Sequence, residues 1–322
     1  MNDVNLVKAA EITPAEPAPA PPPRETIGPF LTAKLGALRE RLAGIKPRLL
    51  ASGDAEAVHD LRVGLRRART VLAVGRPVFG RHYADQVRAA FREVHQATGA
   101  LRDEEVLLEL IAALDAGPEW PEVHVWLDIR RRRERSLRAR LRRMVQAGAL
   151  DSGLRLLDAL LLFQVKPSRD RRLTKFARRA IDEAKRKVER GKAIAEEAPE
   201  TLHELRVLYK GLRYTAETFA EAHGMEEAAA GVARSASRFQ SLLGKVHDAE
   251  VADGAVRRSR GLSDATRATL LRQLALSRET RLQAYDRARG ASDVRTAPRP
   301  LLAAAASPGS SGSAGESPLR KA

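Results

Sequence analysis

A twelve-residue segment occurs twice in this 322-residue chain, and this repeat constrains the fold more than any other feature. Residues 58–69 read VHDLRVGLRRAR and residues 202–213 read LHELRVLYKGLR. A second matched pair follows, GALRDEEV at 99–106 and GKVHDAEV at 244–251. Because the two pairs recur at nearly the same offset, they indicate that the chain is built from two similar halves.

The spacing of apolar residues predicts helices almost throughout residues 28–289. Leu61, Leu65 and Leu72 recur at three- and four-residue steps, which is the period of an amphipathic helix. Short breaks with Gly or Pro separate helices of about 18–30 residues, and no segment has a strand pattern. We therefore predict an all-α fold with about four main helices in each half and a seam near Lys166-Pro167-Ser168.

The ends of the chain differ in composition from the middle. Residues 1–27 are rich in Pro and Ala, and residues 290–322 are rich in Ala, Ser, Gly and Pro, so we predict that both tails are disordered. The whole chain has 57 Lys and Arg against 41 Asp and Glu, a net charge of +16. The tail charges cancel, so this excess lies in the region predicted to fold and favours a shaped anion site.

Composition also excludes several classes of protein. The chain has no cysteine, which rules out a disulfide framework, a cysteine zinc site and an iron–sulfur cluster. It has no apolar stretch of about 18 residues, and its N-terminus lacks the basic start and apolar run of a secretory signal. We therefore expect a soluble, cytoplasmic protein that does not contact a membrane.

Basic side chains align along one helix face in both copies of the repeat. The first basic row consists of His59, Arg62, Arg66 and Arg69, and the second basic row consists of His203, Arg206, Lys210 and Arg213. At 100° per residue the first row falls within an arc of about 80°, beside the apolar stripe. Stacked like charges destabilise a helix, so a polyanionic ligand is the simplest explanation. The alternative is that carboxylates on neighbouring helices neutralise the rows.

A third basic segment, residues 130–143, reads RRRRERSLRARLRR. Four of its arginines share an arc of about 60° on a helix. These four are Arg131, Arg135, Arg138 and Arg142. Lys175 and Arg178 form a weaker group, because Asp182 shares their face. All six are candidates for additional phosphate contacts, although a basic run on a helix is often only a solvated face.

The two pairs of repeated segments resemble the paired signature of the CHAD domain, the histidine-bearing α-helical domain. The resemblance covers residues 28–289 and implies two four-helix bundles, residues 28–166 and 167–289, related by approximate two-fold symmetry around a basic cleft. It implies binding of inorganic polyphosphate and location at polyphosphate granules. The site residues that it implies are those of the two basic rows, with Arg67 and Tyr214 beside them.

Two features of the chain depart from the family pattern. Gly211 stands in the second half where the first half has Arg67, so the halves differ in charge. Members of the family are often fused to a CYTH domain, but the strand-rich, Glu-alternating segment of that domain is missing here. We therefore expect no triphosphatase activity.

Polyphosphate suits these residues because guanidinium groups can bind two phosphate oxygens at once, and binding should weaken with salt. Neighbouring cations should keep His59 and His203 unprotonated in the empty site, whereas a bound phosphate favours the charged form. We therefore expect tighter binding as the pH falls from about 8 to 6. Divalent cations can be carried with the ligand without binding to protein groups.

Two other functions remain open from the sequence. A basic helical protein can bind nucleic acid, although both rows lack aromatic stacking platforms. A metal-dependent phosphohydrolase could use His59, His203, Asp103 and Asp248, but the chain has no HExxH motif and no Walker-type loop. We read the two aspartates as partners of the basic rows or as helix caps. We predict no catalytic residue, metal or cofactor.

Overall fold

The computed structural model describes residues 25–51, 54–114, 120–162 and 171–296. Within these ranges the chain forms eleven α-helices and no β-strand, which confirms the predicted all-α class. The helices are α1 (Ile27–Leu50), α2 (Ala55–Val74), α3 (Arg76–Phe79), α4 (Arg81–Ala90), α5 (Arg92–Ala112), α6 (Pro121–Gln146), α7 (Ala149–Leu162), α8 (Leu173–Glu197), α9 (Leu202–Thr218), α10 (Glu226–Arg257) and α11 (Asp264–Thr296). A short 3₁₀ helix, Pro199–Thr201, precedes α9.

The long helices of the two halves occur in matching order. Of the repeated segments, the first pair lies on α2 and α9, and the second pair lies on α5 and α10. Each glutamate of the second pair contacts an arginine on the following long helix. Arg138 Nη2 donates to Glu105 Oε1 at 2.9 Å, and Arg278 Nε donates to Glu250 Oε1 at 3.0 Å. The sequence repeat thus places equivalent contacts in both halves, while two-fold symmetry stays a prediction.

The first half differs from the second because it contains three additional helices in its described part. α3 and α4 lie between α2 and α5, and α7 follows α6. Pro77 lies in the first turn of α3, where its missing N–H costs no hydrogen bond. Gly80 ends α3 with a φ of 91°, a conformation that favours glycine. The segment after α2 therefore folds as two short helices instead of one long one.

The described residues include only some of the predicted domain and tail boundaries. The proposed seam at 166/167 and most of both predicted tails lie outside the described residues. α1 begins at Ile27, and α11 continues to Thr296, which is beyond the predicted tail boundary at residue 290. No proline interrupts α11 before Pro298, so the backbone permits the helix to extend this far.

One hydrophobic core joins the two halves. Leu35 of α1, Leu65 of α2, Ile181 of α8 and Leu205 of α9 are buried members of the same cluster. A second cluster forms where α5, α6, α10 and α11 meet, and Ile111 is fully buried in it. The starts of α1 and α8 are also joined, because Ile27 N donates to Arg171 O at 2.9 Å and Leu173 N donates to Glu25 O at 3.0 Å. These contacts fix the halves against each other.

This arrangement determines where the basic rows lie. α2 packs against α9, and α5 packs against α10. Leu61 and Leu65 of α2, with Leu205 and Leu212 of α9, are buried as their apolar stripes predict. The neighbouring arcs, which carry the basic rows, are therefore held at the border between core and solvent. None of the helices in the described ranges combines the length and apolar character that crossing a bilayer requires.

Candidate anion-binding site

The two basic rows face each other across the contact between α2 and α9. Arg66 Nη1 donates a hydrogen bond to the hydroxyl of Tyr214 on α9 at 3.1 Å. Arg67 Nη2 lies 3.6 Å from Glu217 Oε2, also on α9. Arg66 further lowers the pKa of Arg206, after burial, so the charges of the two rows interact. The cations of the two rows are therefore close enough to influence one another, while a cleft between the rows stays a prediction.

Five cations of the two rows have no carboxylate oxygen within 4.0 Å among the described residues. We name these residues the cleft cluster, and they are Arg62, Arg66, Arg69, Arg206 and Lys210. Neutral groups take the place of carboxylates at two of them, since Arg66 bonds to Tyr214 and Arg62 Nη1 donates to the carbonyl of Thr98 at 2.9 Å. Nε of Arg206 is buried and has no hydrogen-bond partner among the residues that the structure describes.

Burial and repulsion from nearby cations lower the pKa of four members of the cleft cluster. Burial lowers the pKa of Arg62 and Arg206, and other arginines lower both values further. Burial also lowers the pKa of Arg69, with contributions from Arg88 and Arg92. The effect is largest at Lys210, where burial and three arginines lower the pKa to about 7. An anion in the cleft would relieve this repulsion.

His95 of α5 lies among the members of the cleft cluster, and the sequence analysis did not identify it. Burial lowers its pKa to about 4, and Arg69, Arg66, Arg62 and Lys210 contribute in that order. The imidazole is therefore neutral near pH 7 and adds hydrogen-bonding capacity without adding charge. A signal was available, because His95 lies one helical turn before Gly99 of the repeated segment and shares its face.

Two other predicted site residues are neutralised by a glutamate. Arg213 Nε donates to Glu217 Oε1 at 2.7 Å, and the same carboxylate lies near Arg67. The alternative explanation, neutralisation by a carboxylate, therefore holds at these two positions. Tyr214 is buried, and the guanidinium carbons of Arg66 and Arg213 lie 5.5 and 5.3 Å from its ring centre. Its ring is covered and cannot stack on a nucleic-acid base.

The two row histidines lie at the ends of the rows in different surroundings. His59 is exposed and lines a cavity of about 370 Å³ together with Arg62, Arg102 and Arg138. Glu56, Glu105 and Glu109 line the same cavity, so its charge is mixed.

In the second row, His203 Nδ1 lies 3.1 Å from Nδ1 of His247. His247 was not among the site residues predicted from the sequence. Burial lowers the pKa of His203, and His247 and Arg206 lower it further. This direction agrees with the expectation for an empty site. His247 is the counterpart of Arg102 in the second repeated pair, and this position is the signal that could have identified it.

The six additional candidates are not part of the cleft cluster. Arg131 pairs with Asp128 at 2.7 Å, and Arg142 donates to the carbonyl of Leu50 at 2.7 Å. Arg138 is paired with Glu105 and Glu134. The other three candidates, Arg135, Lys175 and Arg178, are exposed and have no hydrogen bond or ion pair in the described ranges. Arg138 lines a cavity together with His59 and Arg62 of the first row.

The two repeated aspartates act as distant partners of the cations. Both lie in the interior of long helices, so the predicted role as helix caps is wrong. Asp103 raises the pKa of Arg62 and Lys210, and Asp248 raises that of Arg206, although neither forms an ion pair within 4.0 Å. In the described part of the chain, no three His, Asp or Glu side chains are grouped so that they could hold a metal ion.

Comparison with known proteins identifies the family. Residues 33–257 match the CHAD domain family, so the chain belongs to this family. The fold is similar to the CHAD domain from the plant Ricinus communis, with a TM-score of 0.65, 18% identity and coverage of 86% of this chain and 94% of that chain. It is also similar to PptA from Streptomyces chartreusis, with a TM-score of 0.61, 18% identity and coverage of 83% and 100%. No curated protein matches the sequence. Family membership supports a general polyphosphate-related role.

Proposed function

We propose that this chain binds inorganic polyphosphate in the cleft between α2 and α9. The observation that carries the proposal is the cleft cluster, whose five cations share a partly buried site without a carboxylate within 4.0 Å in the described residues. Such a cluster costs free energy when it is empty, and a ligand with about one negative charge per phosphate offsets that cost. Guanidinium groups from facing helices can bind successive phosphates from two sides.

The features around the cleft favour polyphosphate over nucleic acid. Binding of single-stranded nucleic acid uses exposed aromatic rings on which bases stack. Tyr214 and Tyr209, the two tyrosines of α9, are both buried. The cleft therefore offers cations and hydrogen-bond donors but no stacking surface, which suits a polymer without bases. Location in the cytoplasm at polyphosphate granules is part of this proposal.

We propose further that the chain binds polyphosphate without hydrolysing it. A metal-dependent hydrolase would need grouped acidic or imidazole ligands. The candidates for that role, His59, His203, Asp103 and Asp248, are not grouped as a metal site. Release of orthophosphate from long-chain polyphosphate, with and without added Mg²⁺ or Mn²⁺, tests this part. Sustained release that depends on protein concentration would contradict it.

A binding titration with linear polyphosphate of several lengths tests the site. The informative variant is Arg62→Ala plus Arg206→Ala, which removes one cluster member from each row. We expect its affinity to fall at least about 100-fold, because each charge-assisted hydrogen bond contributes about 1.5–3 kcal/mol. The matched control is Arg132→Ala plus Arg135→Ala on α6, which removes the same charge from exposed side chains that have no ion pair.

The controls distinguish loss of the site from loss of the fold. Circular dichroism should show unchanged helicity in both double variants. The α6 variant should bind within about threefold of wild type, since exposed charges act only through a screened field. If the cleft variant keeps its helicity and its full affinity while the α6 variant loses binding, the site lies on α6 and the proposal is wrong.

Two further measurements address the ligand and the location. Long-chain polyphosphate should displace single-stranded RNA from the protein, whereas RNA should displace polyphosphate poorly. The reverse order would favour the nucleic-acid function. A fluorescent fusion should co-localise with polyphosphate granules in cells, and the Arg62→Ala plus Arg206→Ala variant should be diffuse. A wild-type fusion that stays diffuse in granule-containing cells would contradict the proposed location.

A further inference from the structure

Lys210 differs from the other members of the cleft cluster in its chemistry. It is the only amine among four guanidinium groups, and its counterpart in the first repeat is Arg66. A guanidinium stays protonated at any physiological pH, whereas a buried lysine can release its proton. Lys210 is half-buried on α9 and has no carboxylate within 4.0 Å among the described residues. The cluster therefore contains one position at which its charge can change.

Charged groups from several helices surround this amine. α2 contributes Arg62 and Arg66, and α9 itself contributes Arg206, all of which lower the pKa of Lys210. α5 contributes Asp103, which opposes this shift, and His95, whose own pKa is lowered by Lys210.

The other elements that pack against α9 add little to the pKa shift of Lys210. α10 contributes Asp248, which acts on Arg206 and not on Lys210 directly. Neither α8 nor the 3₁₀ helix contributes a group that shifts the Lys210 pKa. The cationic neighbours thus outnumber the single carboxylate, and with burial they bring the pKa to about 7.

We propose that each chain takes up about one proton when it binds polyphosphate at neutral to mildly alkaline pH, and that Lys210 accepts this proton. The inference rests on the proposed function and adds a means of regulation to the same site. In the empty cleft Lys210 releases its proton and reduces the repulsion among the arginines. A bound polyanion reverses the local field and favours the charged amine. Ligand binding and protonation of Lys210 are therefore linked.

The linkage gives the direction of the pH dependence. At about pH 8, which lies above the Lys210 pKa of about 7, most empty sites carry a neutral Lys210. Binding must then protonate these sites, so the affinity falls up to about tenfold for each further pH unit. Below about pH 6 Lys210 is already charged and contributes no pH dependence.

Isothermal titration calorimetry at about pH 8 tests the proposal. The heat of binding of a linear polyphosphate of defined length is measured in two buffers, Tris and HEPES, that differ in ionisation enthalpy. The terminal phosphates of the ligand also titrate, so the result is the difference between wild type and Lys210→Arg. We expect wild type to take up more protons than the variant, with a difference of up to about one proton per chain. The variant carries a permanent charge and should bind up to about tenfold more tightly at this pH.

Two further variants keep the test decisive. Lys210→Met places an uncharged side chain of similar length in the cleft, so its affinity should fall less than that of wild type between about pH 7 and 9. It covers the case in which Lys210→Arg does not fold. His203→Gln plus His247→Gln removes the histidine pair and should retain the full proton uptake at about pH 8.

The outcomes separate this inference from the proposed function. If wild type binds no polyphosphate at all, the proposed function fails. If wild type binds but Lys210→Arg and Lys210→Met retain its proton uptake and pH dependence, the function stands and the role of Lys210 is wrong. If the histidine double variant alone loses the proton uptake, the proton goes to the histidine pair and the inference is overturned.

Discussion

The basic run of α6 and the basic rows of α2 and α9 differ in how their charges are neutralised. The α6 run, residues 130–143, is the densest group of arginines in the sequence. Nevertheless, Arg130 Nη2 donates to Glu104 Oε2 at 2.8 Å, and Arg133 Nε lies 3.3 Å from the same oxygen. Arg138 is paired with two further glutamates. The rows contain fewer cations. Within the described ranges each region has five cations without such a partner, but those of the rows are all partly buried, whereas four of the five on α6 are exposed.

This difference shows that charge density in a sequence does not measure the charge available to a ligand. Two acidic residues of α5 pair with α6: Glu104 with Arg130 and Arg133, and Glu105 with Arg138. No acidic side chain of the described part reaches the cleft cluster within 4.0 Å. The α6 run combines ion pairs that stabilise the fold with exposed cations, whereas the rows hold partly buried cations that an external anion can neutralise. Substitutions in the two regions should therefore have different consequences.

The largest effect is expected from Glu104→Gln. Glu104 is only 4% exposed and pairs with Arg130 and Arg133, so the substitution leaves a half-buried guanidinium without its counter-charge. We expect the free energy of unfolding to fall by about 3 kcal/mol, as is typical when one partner of a buried pair is removed. Urea unfolding followed by circular dichroism measures this value.

The exposed pair of Arg131 and Asp128 provides the matched control. Asp128→Asn should cost less than about 0.5 kcal/mol, because both side chains are more than half exposed. Polyphosphate affinity should be unchanged in both variants under conditions where they are folded. Equal losses of stability in the two variants would contradict the structural role of Glu104.

Much of the fold could be predicted from the sequence, because the apolar period of three to four residues determines which face of each helix is buried. Leu61, Leu65 and Leu205 are buried as that period predicts. The repeat also indicated that α2 and α9 are equivalent helices, and these two helices pack against each other. The three additional helices of the first half were missed, because short breaks such as Gly75-Arg76-Pro77 do not show how many turns follow them.

The neutralisation of individual cations could not be predicted. Whether Arg213 pairs with Glu217, or Arg131 with Asp128, depends on rotamers and on the register between neighbours. Both glutamate and aspartate lie within one helical turn of their arginine, so the sequence permitted these pairs without requiring them. His95 and His247 come from helices that pack beside the rows, and only the tertiary structure brings them there.

The salt dependence of binding should be the next largest effect. Five phosphate contacts predict a slope of log affinity against log salt of about −3.5, taking about −0.7 per contact in a flexible polyanion. Affinity should thus fall about 100-fold between roughly 50 and 200 mM salt. The Arg62→Ala plus Arg206→Ala variant should show a slope of about −2, measured by fluorescence anisotropy. The α6 variant Arg132→Ala plus Arg135→Ala should keep the wild-type slope. A reduced slope in this variant would mean that arginines of α6 also contact the ligand.

A smaller effect concerns stability of the empty protein at alkaline pH. The folded chain lowers the pKa of Lys210 to about 7, below its unfolded value of about 10.4. Between these values the unfolded chain binds more protons, so the free energy of unfolding should rise with pH. We expect the free energy of unfolding to increase by about 1–2 kcal/mol between about pH 7 and 9. Lys210→Met should remove this rise, whereas Lys175→Met, at an exposed lysine of α8, should keep it. Chemical unfolding of all three proteins across this range provides the measurement.

The smallest effect is expected from Arg135→Gln. This arginine of α6 is exposed and has no hydrogen bond or ion pair in the described part of the chain, so its charge is as available as any on that helix. It does not contact the cleft cluster, and salt screens its field over about 8–10 Å. We expect polyphosphate affinity to change by less than about twofold and stability by less than about 0.5 kcal/mol. Fluorescence anisotropy titrations should compare this variant with Arg206→Gln, which removes the same charge from the cleft cluster. Equal losses of polyphosphate affinity in the two variants would mean that an exposed arginine outside the cleft contributes as much as one inside it.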